Sequence, residues 1–143
     1  MTLNVSEWVI EPFQSLGPLR FGMRRGEPQQ VLSEPPTEFK KGFSDNVTEA
    51  YNGAGVHVYY DANGVADFFE AFGFGSNRPT YRGVDLLRRE ADDVVRDLAA
   101  LGLAVRDDGQ GSLWFDDSGF ALIAPTGNTE GVSVFRRGYY TGV

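Results

Sequence analysis

Val58-Tyr59-Tyr60-Asp61-Ala62-Asn63-Gly64-Val65 returns 55 residues later as Leu113-Trp114-Phe115-Asp116-Asp117-Ser118-Gly119-Phe120. The shared order is apolar, aromatic, aromatic, Asp, any residue, Asn or Ser, Gly, apolar. Asn63-Gly64 and Ser118-Gly119 are turn pairs, because a tight hairpin loop needs positive φ, which Gly adopts freely and Asn at small cost. Apolar-rich runs flank both pairs, so the two stretches predict two β-hairpins closed by two-residue turns.

Working outward, each hairpin follows a helix. The second helix carries Leu87, Ala91, Val94, Val95, Leu98 and Leu101 on one stripe and stops at Gly102. Asp85 is its expected N-cap, and Arg88/Asp92 and Arg89/Asp93 stand four apart on the wet side. The first helix is shorter, over residues 27–34, with Pro28 in its first turn and Pro35-Pro36 as its stop. Phe21, Met23 and Val31 correspond to Val84, Leu86 and Val94. The first half therefore carries extra residues, placed between Pro35 and Gly55, where the turn-rich stretch Lys41-Gly-Phe-Ser-Asp-Asn lies. Gly73-Phe-Gly-Ser-Asn-Arg-Pro79 is the joint between halves, and a last strand is expected over residues 132–140 as an exposed edge. This predicts one α+β domain over residues 1–143, built from half-repeats at about 12–74 and 80–143. Each is a helix plus antiparallel hairpin, and the helices pack on one face of a shared antiparallel sheet, since neither half buries its apolar surface alone.

Composition narrows the function. The chain has 143 residues, 41% of them hydrophobic and 23% charged, with 11 Phe, 6 Tyr and 2 Trp. A chain of this length buries about 70% of its unfolded surface. The net charge of −7 argues against nucleic acid, which draws a basic field. With no Cys and one His, thiol nucleophiles, disulfides and the usual zinc sites are excluded, so no metal and no cofactor is expected. No apolar run approaches the roughly 20 residues of a membrane span, and MTLNVSEWVIEP has neither a basic nor an apolar signal region. The expected location is the cytoplasm.

Leu16-Gly-Pro-Leu-Arg-Phe-Gly-Met23, leading through a short helix with Val31 to Pro35, resembles the opening of the β-lactamase inhibitory protein-like superfamily. The residues that carry the resemblance are Phe21, Gly22, Met23, Val31 and the hairpin. It implies units that begin helical and continue into an antiparallel sheet, a tandem pair of them sharing a concave sheet, and protein binding through that sheet. The disulfides and the lipidated Cys found in that superfamily have no counterpart in a chain without Cys.

Hairpin pairing places Val56, Val58, Tyr60, Phe69 and Ala71, with Leu113, Phe115, Leu122 and Ala124, on the face beneath the helices. The opposite face collects His57, Tyr59, Phe68, Glu70 and Phe72, with Ser112, Trp114 and Ile123. Aromatics interleaved with polar groups suit a protein interface. His57, Tyr59, Phe68, Glu70 and Trp114 are therefore the expected partner-binding residues. The competing expectation is that residues 8–13 or a loop cover this face as a second small core. The leading functional expectation is a non-catalytic binding module of the immunity or inhibitor type with a basic, toxin-like protein partner. One alternative is a small hydrolase or isomerase using His57 and Glu70 as an acid–base dyad. Another is an assembly protein whose exposed sheet makes a homodimer. No nucleophile elbow, P-loop or dinucleotide-binding glycine motif is present.

Overall fold

A computed structural model describes residues 6–40 and 46–140. The stretch 41–45, expected as a turn, and residues 1–5, examined for a signal, lie outside the described residues, as do 141–143. In chain order the elements are β1 (Ser6–Glu11), β2 (Ser15–Leu16), β3 (Leu19–Arg20), α1 (Glu27–Leu32), β4 (Thr37–Lys40), β5 (Val47–Tyr51), β6 (Val56–Tyr60) and β7 (Ala66–Phe72). There follow β8 (Asn77–Tyr81), β9 (Val84–Asp85), α2 (Ala91–Ala100), β10 (Arg106–Asp107), β11 (Ser112–Phe115), β12 (Phe120–Ile123) and β13 (Gly131–Phe135).

Two sheets result, so the protein is α+β and mostly strand. The larger runs β10-β11-β12-β13-β7-β6-β5-β4, antiparallel throughout. The smaller runs β3-β2-β1-β8-β9, with β1 and β8 parallel. The inner face of the larger sheet carries Val56, Val58, Phe69, Ala71, Phe115, Phe120, Leu122, Val132 and Val134, all buried. They share one core with Trp8, Ile10, Leu16 and Leu19 of the smaller sheet and with Val94 and Leu98 of α2. Phe21 stacks on Phe69 at 4.7 Å between centroids. Neither helix is long and apolar enough to cross a membrane.

Both expected hairpins form, β6–β7 and β11–β12. Their connections are longer than two residues. In the first, Asp61 Oδ1 accepts the amides of Asn63 and Val65, and the register shifts at Tyr59/Tyr60. In the second, one 3-10 turn spans Asp116–Ser118. Of the aspartates shared by the two motifs, Asp61 prolongs its loop by capping backbone amides, whereas Asp116 binds the Arg106 guanidinium.

Other expectations are corrected. The inner face is covered by a second sheet as well as by α2; Trp8 and Ile10 belong there and not on the outer face, whereas Phe13 packs against Phe135 and Arg137. Asp85 ends a strand paired with Thr80, and α2 begins at Ala91 after Glu90. The expected pairing at four-residue spacing is replaced by Arg89–Asp97 at 2.7 Å and Arg96–Asp93 at 2.9 Å. Arg88 turns away to donate to the carbonyls of Gly73, Gly75 and Asn77. These groups knit the joint, where a Cβ on Gly75 would stand 2.3 Å from the Ala54 oxygen, so only glycine fits. The last strand stops at Phe135 in the middle of the sheet, not at an edge, because β13 lies between β12 and β7. The inner face also holds one carboxylate, Glu49, 3% exposed, which accepts hydrogen bonds from the hydroxyls of Tyr51 and Tyr60. Burial first, and Glu49 second, hold both phenols well above their ordinary titration range.

Candidate functional site: a cleft on the outer sheet face

The register that buries Val58, Phe69 and Val134 turns their neighbours outward. Tyr59 pairs with Phe68, Phe68 with Phe135, His57 with Glu70, and Glu70 with Ser133. Trp114 pairs with Ala121, and Ala121 with Ser133. The outward side chains make the floor of a half-open cleft of about 520 Å³. Its wall is the segment 136–140, which leaves β13 and returns over the face. The segment is anchored by Arg137, whose guanidinium lies 4.1 Å from the Phe13 ring centroid, and by the Arg136 amide donating to the Asp67 carbonyl. Tyr140 meets Trp114 edge-on at 5.0 Å, and Tyr139 meets Phe68 at 4.9 Å.

Glu70 sits at the centre of the floor. Its Oε1 accepts the Tyr59 hydroxyl at 3.0 Å and its Oε2 the Ser133 hydroxyl at 3.5 Å. Burial, then the Glu70 charge, raises the Tyr59 phenol far above its usual range. Burial likewise pushes Tyr140 up to about 12, with Tyr139 and Glu70 adding to it. Trp114 is held from outside the cleft. Its indole N–H donates to Asp108 at 3.1 Å, and the Arg106 guanidinium stands 4.9 Å from its ring centroid. Arg106 is itself fixed by two bonds to Asp116, at 2.8 and 3.0 Å. That indole bond is the main reason the Asp108 carboxyl titrates below its ordinary value.

Asp67 also lines the cleft and is 8% exposed. Burial pushes its carboxyl up to about 6; the Arg136 charge opposes the rise and Asp61 adds to it. Among the described residues it makes no ion pair, and its one hydrogen-bond donor is its own amide.

Four of the five residues expected from the sequence, Tyr59, Phe68, Glu70 and Trp114, come together in this cleft. Phe68 is not a free anchor: it is 7% exposed, beneath Tyr139 and Tyr140. His57 shares the face but lies beside the cleft, its ring against Phe39 at 5.4 Å and Phe72 at 4.8 Å. Sequence reasoning missed Asp67, Ser133, Tyr139 and Tyr140. Ser133 was findable, since it is the cross-strand neighbour of Glu70 once the last strand is placed centrally; the tyrosines were hidden by reading residues 132–140 as one strand. Among the described residues no group of three or more Asp, Glu or His side chains is placed to hold a metal ion. No family model, curated protein or solved structure matches the chain.

Proposed function

We propose that this chain is a non-catalytic binding module that holds a protein partner against the outer face of its larger sheet and neutralises it, as an immunity or inhibitor protein does. The observation that carries the reading is the cleft, in which aromatic rings surround two carboxylates with no basic side chain among its described lining residues. Rings of this kind give large contact area at low entropy cost. A net charge of −7 steers a basic partner toward it and speeds encounter. We also read the chain as a tandem repeat over 12–74 and 80–143, in keeping with the resemblance to the β-lactamase inhibitory protein-like superfamily. The support is strand order: β4 to β7 and β10 to β13 enter the sheet in mirrored sequence and meet at β7 and β13. A chain without Cys suits a reducing compartment, and we place the module in the cytoplasm on that ground.

The test compares immobilised wild type with Tyr59→Ala and Trp114→Ala for the proteins each retains from host cytosol, with melts run alongside. A partner bound by wild type and weakened about 30-fold or more by one variant that stays folded supports the reading. A partner held equally by both folded variants overturns it.

A further inference from the structure

We propose that the cleft is a site for an organic cation, an alkylammonium or guanidinium group, seated among the rings of Tyr59, Trp114, Tyr139 and Tyr140 and neutralised by Asp67 and Glu70. The proposal rests on the reading that this cleft is the partner-binding face, and it names the chemistry the partner inserts there. Three independent observations converge on it. First, the charge of the site is one-sided. Glu70 and Asp67 both line the cleft, no described Lys, Arg or His lines it, and among the described residues no basic side chain forms an ion pair with either carboxylate. Glu70 takes neutral hydroxyl donors, which leave its negative charge in place.

Second, Asp67, on β7, lines the cleft while more than nine-tenths buried, with only its own amide as donor. The Arg136 charge acts on it without forming an ion pair and offsets only part of the cost of burying the ionised form; an incoming cation supplies the rest. Third, the rings are placed in advance. The face of an aromatic ring attracts cations, most strongly for Trp, and the attraction grows as water is excluded. Asp108 and Arg106 hold the Trp114 indole from outside, and Tyr140 meets it edge-on within the wall. A volume of about 520 Å³ admits a cationic head with its alkyl stem.

The cation can come from a free amine or from a Lys or Arg side chain of a protein, and the experiment separates the two. Wild-type chain is titrated at about pH 7.5 with n-butylammonium and n-butylguanidinium, with n-pentanol and n-butylurea as neutral counterparts. The indole N–H resonance of Trp114 is followed, and that of Trp8, buried in the core, serves as internal reference. The expected result is a saturable Trp114 shift with both cations and about tenfold or weaker binding of the neutral molecules. Asp67→Asn and Glu70→Gln should each weaken the cations about fivefold or more while the Trp8 resonance stays in place. Equal binding of cation and neutral counterpart, or no Trp114 shift with either cation, overturns the proposal. A Lys- or Arg-bearing peptide that binds about tenfold tighter than the free cation, and loses that advantage when the lysine is acetylated, supports a cation site filled by a protein side chain. Equal affinity of peptide and free amine supports the same site filled by a small amine. If Trp114→Ala releases the captured protein while cations shift nothing, the cation site falls and the partner face stands. The reverse pattern refutes the partner face alone.

Discussion

Asp67→Asn should stabilise the protein, and only above about pH 4, where the carboxyl of the unfolded chain begins to ionise. In the folded chain that carboxyl titrates at about 6, chiefly because it is buried, against an ordinary value of 3.8. The folded state therefore holds the proton more tightly than the unfolded state does. For an acid shifted this way, stability is full below about pH 4 and declines as pH rises through 6. The loss at neutral pH reaches at most about 3 kcal/mol for a shift of this size. Water entering the half-open cleft screens part of it, so a gain of about 1–2 kcal/mol is the expected effect of the amide at about pH 7.5. Besides burial, the groups that set the balance are Arg136, Asp61 and the Asp67 amide, and none of them is altered by the substitution. Urea melts of both proteins at about pH 4 and about pH 7.5 read the effect directly, provided the slopes agree. Superimposed curves at the acid end and separated midpoints at the neutral end are expected. A variant equally shifted at both pH values, or less stable than wild type at about pH 7.5, refutes the burial argument for Asp67.

Other substitutions probe other parts of the structure. Trp114→Ala should cost about 1–2 kcal/mol and Phe115→Ala about 3–5, because neighbouring residues on one strand face opposite sides, cleft and core; thermal melts that rank them equally would remove the cleft from consideration. Glu49→Ala strips the acceptor from two buried tyrosine hydroxyls and should destabilise by about 2–4 kcal/mol in urea, whereas a near-neutral result would mean that both phenols find other partners. Gly75→Ala brings a methyl against the Ala54 carbonyl and the Gly55 Cα, for a loss of about 2 kcal/mol or more by calorimetry; wild-type stability would show that the joint yields. Binding of n-butylammonium should fall about fivefold between about pH 7.5 and about pH 5 as Asp67 takes up its proton, and titrations that agree at both values would detach Asp67 from the cation.

Local sequence carried the hairpins, the inward set of β6 and β7, and the body of α2, since each rests on turn chemistry or on a period that a short window displays. The second sheet was not legible in the same way. Its β2, β3 and β9 span two residues each, too short for any alternation, and its parallel pair joins Ser6 to Asn77 and Val9 to Thr80. Such a pair is decided by tertiary packing alone. Within the site, Tyr59, Glu70 and Trp114 followed from alternation along single strands. Asp67 did not, because a charged residue in an apolar strand reads as solvent-facing until its surroundings are known. Tyr139 and Tyr140 reach the cleft through a chain reversal at Arg136, where the Tyr139 amide returns to the Arg136 carbonyl; Arg136-Arg137-Gly138 interrupts the apolar run, and Gly138, at φ 82°, is the turn signal that a single-strand reading passes over.

The seam between β7 and β13 gives the cleft a place in time. Each meander, β4 to β7 and β10 to β13, is made of contacts close in sequence, whereas the seam brings Phe68 to Phe135 and Phe72 to Gly131. Non-local pairings must overcome chain-closure entropy before they return any stabilisation, which slows folding to the millisecond-to-second range for sheets of this kind. Glu70 stands on one side of that seam and Ser133 on the other, so the two meet only when it closes. During refolding, the secondary structure of the two meanders should therefore run ahead of the Trp114 environment. The capacity to bind becomes the clock of the final folding step, and a chain whose two meanders have formed but not joined is folded in its parts and still without a site.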